Sequence, residues 1–388
     1  MPLEISGNKA TGICRHFGIC GGCSLQHFSY SEQLSSKEAA LRECLPRAVR
    51  EAFASPLFNQ SGNQTTWGFR QKVAFVFAAG QGGRGLVMGH YERGSHRVVP
   101  VEECPVHSDR GNRIAFALRD QLVRAGINAA LLRHLIVRTT QDDREAVAML
   151  VVTRNDKSLR RPVRALLDSK DAPEGFFINI NDAPGPFMIG PKTIRIEGRH
   201  HVLETVGGIS YLVSPEAFFQ TNVSAAAALQ RCVVEGVDGA QRVLDLYCGS
   251  GLFSLPLAAR GTRVIGIDEN RQAIQDADAN LRLNRIPSGT ARFISARVED
   301  GLARVAKETW DAVILDPPRQ GCPKSVLSKV FEGIAPRCAV YVSCNPDALA
   351  EELPLIIRMG YRAERIEAVD MFPHTDHIET VVRLRCQM

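Results

Sequence analysis

The chain has 388 residues, is 45% hydrophobic and 23% charged, and carries a formal charge of +5. This is the composition of a soluble globular protein of two or three domains with a sizeable core. The opening residues lack a basic start followed by an apolar stretch, which argues against a signal peptide, and no run approaches the length of a membrane span; a cytoplasmic location is expected.

Eleven cysteines are too many to ignore in a reducing compartment, where metal binding or catalysis explains them better than a disulfide framework. Residues 1–30 are rich in cysteine and glycine without periodicity, and Cys14, Cys20 and Cys23 crowd one stretch. Cys104, before Pro105, is a remote fourth candidate. Tetrahedral thiolates accommodate zinc or an iron–sulfur cluster. Residues 31–50 then read as a helix. From 66 to 213, strand runs at 73–77, 86–88, 135–137, 146–152, 176–180 and 193–196 alternate with helical stretches near 110–126 and 157–168. Few are joined by crossover helices, so an α+β unit with a largely antiparallel sheet is expected.

From 214 onward the period changes. Ser214 can cap a helix with Pro215 in its first position. Strands at 242–247, 263–268, 291–294, 310–315 and 338–343 alternate with helices, which implies βαβ units and a parallel sheet. The runs 361–370 and 378–385 form a closing hairpin that puts one antiparallel strand in that sheet. Open α/β sheets bind ligands at their carboxyl strand ends, where this chain puts its chemistry. Gly249-Ser250-Gly251 follows the first strand and lets the backbone approach a ligand. Asp268 ends the second strand, placed to accept hydrogen bonds from ribose hydroxyls; capping the helix near Asn270 is the alternative. Asp316-Pro317-Pro318-Arg319 follows a later strand. Cys344 lies in Ser343-Cys344-Asn345-Pro346, and Glu379 in His377-Ile378-Glu379.

These runs, with Phe218-Phe219-Gln220-Thr221-Asn222 and Asp245-Leu246-Tyr247-Cys248-Gly249-Ser250-Gly251, resemble the RNA uracil-C5 methyltransferase family over nearly the whole chain. The resemblance implies a class I methyltransferase Rossmann-like sheet, S-adenosylmethionine as cofactor and an RNA substrate. It makes Cys344 the nucleophile and Glu379 the general base. Gln220, Tyr247, Gly249, Asp268 and Asp316 become cofactor-binding residues. Cys14, Cys20, Cys23 and Cys104 become ligands of a [4Fe–4S] cluster, a reading the Cys-x5-Cys-x2-Cys spacing favours over a zinc ribbon. The implied domains are 1–50, 51–213 (RNA-binding, contributing Cys104) and 214–388 (catalytic). Lacking room for the small N-terminal β-barrel of some relatives, the chain is most similar to the branch that methylates 23S ribosomal RNA near position 747; transfer RNA is the alternative. A monomer is expected.

Several residues keep a second reading. Cys322 rivals Cys344 as nucleophile. Cys44, Cys232, Cys338 and Cys386 read as small buried hydrophobes, and Cys248 as lining the cofactor turn. His374, Asp376 and His377 suggest either a metal site or a polar turn. Leu252 and Arg297 depart from the family's polar cofactor contacts. Two basic stretches, Arg154–Arg164 and Arg195–His201, are candidates for following phosphates.

Overall fold

A computed structural model describes residues 14–58, 65–183, 188–305 and 307–387, so the first part of the expected cysteine-rich segment lies outside the described residues. Helix α1 (Tyr30–Cys44) starts with a capping box, in which Ser29 accepts from Glu32 N and Glu32 reaches back to Ser29 N. Strand β1 (Phe53–Phe58) follows. The central unit then runs β2 (Lys72–Ala79), β3 (Leu86–Tyr91), β4 (Val98–Pro100), α2 (Asp109–Arg124), β5 (Leu132–Thr139), β6 (Ala146–Val152), α3 (Arg160–Leu167), β7 (Gly175–Ile180) and β8 (Lys192–Gly198).

These strands form a seven-stranded sheet, β4-β3-β2-β5-β6-β7-β8. Its pairs are antiparallel except β6–β7, which α3 connects, as the scarcity of crossover helices predicts. Strand β6 is apolar at every position because both of its faces are covered. Its alternate residues Ala146, Ala148, Leu150 and Val152 join a core with Leu118 of α2 and Leu166 of α3. Val147, Met149 and Val151 point the other way, into a core shared with the C-terminal half.

A hairpin of β9 (Val202–Val206) and β10 (Ile209–Val213) leads out of the sheet. The expected helix at Pro215 is not formed. Ser214 Oγ instead accepts from Ala217 N and donates to Asp276 Oδ2, closing a turn. The helix starts later, as α4 (Val223–Gly236), with Asn222 as its cap. Buried Arg138 holds the intervening loop by donating to Ala217 O at 3.2 Å, and Phe219 is buried against Tyr211, so tertiary contacts override the local cap signal.

The C-terminal half follows the expected alternation closely: β11 (Arg242–Leu246), α5 (Ser254–Ala259), β12 (Arg263–Asp268), α6 (Arg271–Leu283), β13 (Ala291–Ser295), α7 (Val298–Val305), β14 (Ala312–Leu315), α8 (Lys324–Ser328), β15 (Cys338–Ser343), α9 (Pro346–Arg358), β16 (Tyr361–Val369) and β17 (Glu379–Cys386). The sheet order is β1-β16-β17-β15-β14-β11-β12-β13. Strand β17 is antiparallel to both neighbours, as the closing hairpin predicts. Residues 53–58, placed by sequence in the central unit, instead add a parallel edge strand beside β16. Leu41, Leu45 and Val49 pack into the same core as β15 and α9. A six-residue strand without a partner signal fits the edge of either sheet, so sequence alone could not choose between them.

The N-terminal segment also builds the turn between β16 and β17. Lys37 Nζ donates to Asp370 Oδ1 at 2.7 Å, both side chains being almost wholly buried, and to Phe372 O at 3.1 Å. Gln33 Oε1 accepts from His374 N at 2.8 Å, and Ser24 N and Leu25 N both donate to His374 O. Trp67 stacks on the ring of His374, whose backbone adopts φ +66. His374 is therefore a structural pin. Lys37→Met keeps the aliphatic stem but removes the cation from a buried pair. We expect a loss of about 3–5 kcal/mol in urea unfolding; a loss under about 1 kcal/mol, the worth of an exposed pair, would contradict this role.

Candidate active site and cysteine cavity

One edge of the eight-stranded sheet gathers the ends of β11, β12, β14 and β15. Because β17 runs the opposite way, its first residue, Glu379, lies at that same edge. Cross-strand pairing of Ser343 with Thr380 brings Cys344 beside it.

The turn after β11 is shaped by left-handed backbone at Tyr247, Gly249 and Gly251. At Gly251, with φ +91, a Cβ would also press Leu255 at 3.0 Å. Gly249 N donates to Asp268 Oδ2 at 2.9 Å, and Asn270 N to Asp268 Oδ1 at 2.8 Å, so one carboxylate ties two strand ends together. Asn270 is the N-cap of α6, through Gln272 N and Ala273 N, which removes capping as the explanation of Asp268. Below the turn, fully buried Asp245 accepts from Ser254 Oγ at 2.5 Å while its Oδ1 has no partner.

Four groups meet around Cys344. Its backbone lies between β15 and Asn345, the cap of α9, with Pro346 starting the helix. Asn345 Nδ2 donates to Arg319 O at 2.9 Å, joining this turn to the one after β14. Cys344 is half-buried, and Glu379 is 7% exposed. Burial, then the Glu379 and Asp316 carboxyls, push the thiol up to about 11, with Arg319 opposing. Burial, then Asp316, push Glu379 up to about 8, again against Arg319. Asp316 rises to about 7, through burial and then Asp245 and Asp268. Such a site holds a thiol, two carboxyls poised near neutrality and one guanidinium. It is equipped for nucleophilic addition followed by proton abstraction.

The rival thiol is placed differently. Cys322 is buried, its N–H donates to Glu352 Oε1 at 2.7 Å, and its sulfur shares hydrogen bonds with Tyr341 and Tyr247. Tyr341 also donates to Glu352. Cys322 is thus fixed in a polar knot, and burial pushes it up to about 12. Tyr247 sends its hydroxyl into this knot. Gln220 is half-buried in the loop before α4, between buried Phe219 and Thr221, whose carbonyl accepts from Gln71 N. Phe218 beside it is 67% exposed. Leu252 is buried, its carbonyl accepting from Tyr211 Oη and Gln230 Nε2, and Arg297 pairs with Glu299.

A second site lies where the N-terminal segment meets β3. A cavity of about 350 Å³ is lined by Cys14, Cys20, Cys23 and Cys104, with Arg70, His90 and His107. Cys20 forms a β-bridge with Glu92, and Asn112 brackets Cys104 through its N–H and C=O. Burial, and then neighbouring thiols, push Cys23 up to about 11 and Cys104 to about 12. The half-buried Arg70 guanidinium acts on both sulfurs. Four thiols converging on one cavity beside a cation have the donor chemistry of a thiolate-bound cluster or ion. Neither Arg70 nor the Lys37–Asp370 pair carries a local sequence signal, because each works through residues distant in the chain. No helix among the described residues is long and apolar enough to cross a membrane.

The family model described as tRNA (uracil-5-)-methyltransferase matches residues 30–387. An uncharacterised RNA methyltransferase of Caldanaerobacter subterraneus is 32% identical over 391 residues, covering 98% of this chain and 85% of the relative. One from Geobacter sulfurreducens is 33% identical over 388 residues, covering 96% and 76%. The crystal structure of Pyrococcus abyssi tRNA (uracil-54, C5)-methyltransferase in complex with S-adenosyl-L-homocysteine superposes with a TM-score of 0.76 at 28% identity, over 95% of this chain and 86% of that one.

The raised carboxyls make stability depend on pH. Unfolded, Asp245, Asp316 and Glu379 release their protons near the ordinary values of 3.8 to 4.5; folded, they hold them to about 7 or 8. Between those limits the folded state binds more protons, so their contribution to stability falls as pH rises. Glu379→Gln is expected to raise the thermal midpoint of the free protein by a few degrees at pH 8.5 and by much less at pH 5. An equal change at both pH values would show that Glu379 is not held protonated in the fold.

Proposed function

This chain belongs to the RNA uracil-C5 methyltransferase family, and on that premise we propose that Cys344 and Glu379 methylate a uridine of 23S ribosomal RNA through a covalent intermediate. The protein is an S-adenosylmethionine-dependent enzyme. The observation that carries the mechanism is the convergence of Cys344, Glu379, Asp316 and Arg319 at one sheet edge, beside the glycine turn.

Uracil C5 is a weak nucleophile. Addition of the Cys344 sulfur to C6 moves the ring's electron pair toward O4 and leaves C5 able to attack. S-adenosylmethionine supplies an electrophilic methyl group on its sulfonium. Once C5 carries the methyl, Glu379 takes the remaining C5 proton; the C5–C6 double bond re-forms and the Cys344 sulfur leaves. A carboxylate raised to about 8 is a stronger base than an ordinary one and better matched to this step. The position of Cys344 at the start of α9 favours thiolate, while burial opposes it. Arg319 is the nearby cation that helps the sulfur ionise.

Gly249 and Asp268 would hold the cofactor's ribose side, since each Asp268 oxygen has accepted only one backbone amide. Asp316, Gln220 and Tyr247 complete the pocket in this reading. A [4Fe–4S] cluster bound by Cys14, Cys20, Cys23 and Cys104 would anchor the N-terminal segment to the segment after β4, and the four-thiol cavity fits it. In this reading its contribution would be structural.

For the RNA, Arg164 of α3 pairs with Glu197 of β8, which brings the two basic stretches together at that point. Arg154, Arg164 and Arg199 are partly neutralised by acidic neighbours. The ribosomal target, near position 747, rests on the resemblance of the sequence to that branch. Transfer RNA is the second reading, favoured by the family's description and by the matching P. abyssi enzyme. A target base in folded RNA would be extruded to reach Cys344. Mapping 5-methyluridine by nucleoside mass spectrometry, with and without the gene, decides between them. We expect loss at one ribosomal site, restored by the wild-type gene and not by Cys344→Ala. Loss confined to transfer RNA would overturn the ribosomal assignment, and restoration by Cys344→Ala would overturn the mechanism.

A further inference from the structure

We infer that Glu352 is a positioning residue for methyl transfer, its carboxylate tying the turn that carries Asp316 and Arg319 to the strand that ends beside Cys344. The inference rests on the proposed role of Cys344 as nucleophile. Glu352 belongs to α9, whose cap is Asn345, and lies about 9 Å along the helix axis from Pro346. It is 7% exposed, and each of its oxygens has a partner. Oε1 accepts from Cys322 N at 2.7 Å, in the turn after β14, and Oε2 accepts from Tyr341 Oη, in β15.

A carboxylate suits this place because both partners donate and an ionised carboxyl only accepts. Burial pushes Glu352 up, and these two hydrogen bonds oppose it. The turn is also shaped around the carboxylate. Gly321 N donates to Pro318 O at 2.8 Å, and Gly321 adopts φ +78. A Cβ there would lie 2.0 Å from Glu352 Oε1, so a side chain at this position would push the carboxylate away. Closer to the sulfur, Asn345 Nδ2 donates to Arg319 O at 2.9 Å. One helix therefore grips the turn at two points, through Asn345 and through Glu352.

The consequence reaches Cys344 through Arg319. That guanidinium opposes the upward push on both the thiol and Glu379. Its side chain is exposed and, among the described residues, makes no hydrogen bond or ion pair of its own. The turn that carries Arg319 thus sets its distance from the sulfur, and a charge's effect falls with distance. Without Glu352 the turn keeps one grip instead of two, Arg319 drifts into solvent, and the thiol ionises less readily.

The test uses the full chain, purified anaerobically, in two variants. Glu352→Leu keeps the bulk and offers no acceptor, whereas Glu352→Gln keeps an oxygen for Cys322 N and a polar group for Tyr341 Oη. Iodoacetamide modification of Cys344 is followed against pH on its own peptide by mass spectrometry. Methyl transfer is measured with labelled S-adenosylmethionine and RNA from cells lacking the gene. In Glu352→Leu the modification midpoint should rise, slowing alkylation severalfold at pH 8. Its kcat should fall by about 10- to 100-fold with little change in KM for S-adenosylmethionine. Glu352→Gln should stay near wild type in all three. A folded Glu352→Leu with the wild-type modification profile would overturn the inference, as would a Glu352→Gln impaired as much as Glu352→Leu. If Glu352→Leu does not fold, Tyr341→Phe frees only Oε2 and should shift the midpoint in the same direction by less; an unshifted midpoint there would overturn the inference too. Cys344→Ala, assayed with the same RNA, tests the nucleophile by itself, so the two assignments fail separately.

Discussion

Lys37 and Asp370 are drawn almost completely out of water, and two charges in that position are tolerated because they pair with each other and with the Phe372 backbone. Burial pulls Lys37 below its ordinary value, and Asp370 holds it up. That pair locks α1 to the turn between β16 and β17. Gln33, Ser24, Leu25 and Trp67 then clamp His374 within the same turn. Glu379 leaves this turn directly into the sheet. The placement of Glu379, the proposed base, therefore depends on the segment that also carries Cys14, Cys20 and Cys23, and loosening one end should be felt at the other.

The sheet edge itself works against stability. Asp245, Asp316 and Glu379 all lie where burial disfavours their charged forms, and Arg319 is the cation that opposes this at both Glu379 and Cys344. A fold optimised for stability would replace these groups with apolar ones. The proposed mechanism gives these groups a use, since it needs a carboxyl and a thiol that both exchange protons. Cys322 shows the contrast. It is more buried than Cys344, and Tyr341, Tyr247 and Glu352 hold it in place.

The C-terminal sheet was legible because its information is local. Apolar runs, the alternation of strands with helices, and the short connection ahead of Glu379 each specify an element within a few residues. The separation of Asp316, Cys344 and Glu379 along the chain was bridged by the rule that strand ends share an edge. Ser214 misled because a good cap can close a turn as well as a helix, and Arg138, distant in sequence, decided which. The parallel pairing of β1 with β16, the Lys37–Asp370 pair and the His90–His107 contact were illegible for the same reason: each is a long-range encounter without a local pattern.

One covalent bond carries the proposed mechanism, between Cys344 sulfur and C6 of the target uracil. RNA bearing 5-fluorouridine at the target site isolates that bond, because a fluorine on C5 cannot be removed as a proton and the adduct has no route to release. Incubated with S-adenosylmethionine and the wild-type protein, such RNA should yield a methylated adduct stable to denaturation. Digestion and mass spectrometry should place the nucleotide on the peptide containing Cys344. A nucleotide found on the Cys322 peptide, or methyl transfer to ordinary substrate by Cys344→Ala, would contradict the account.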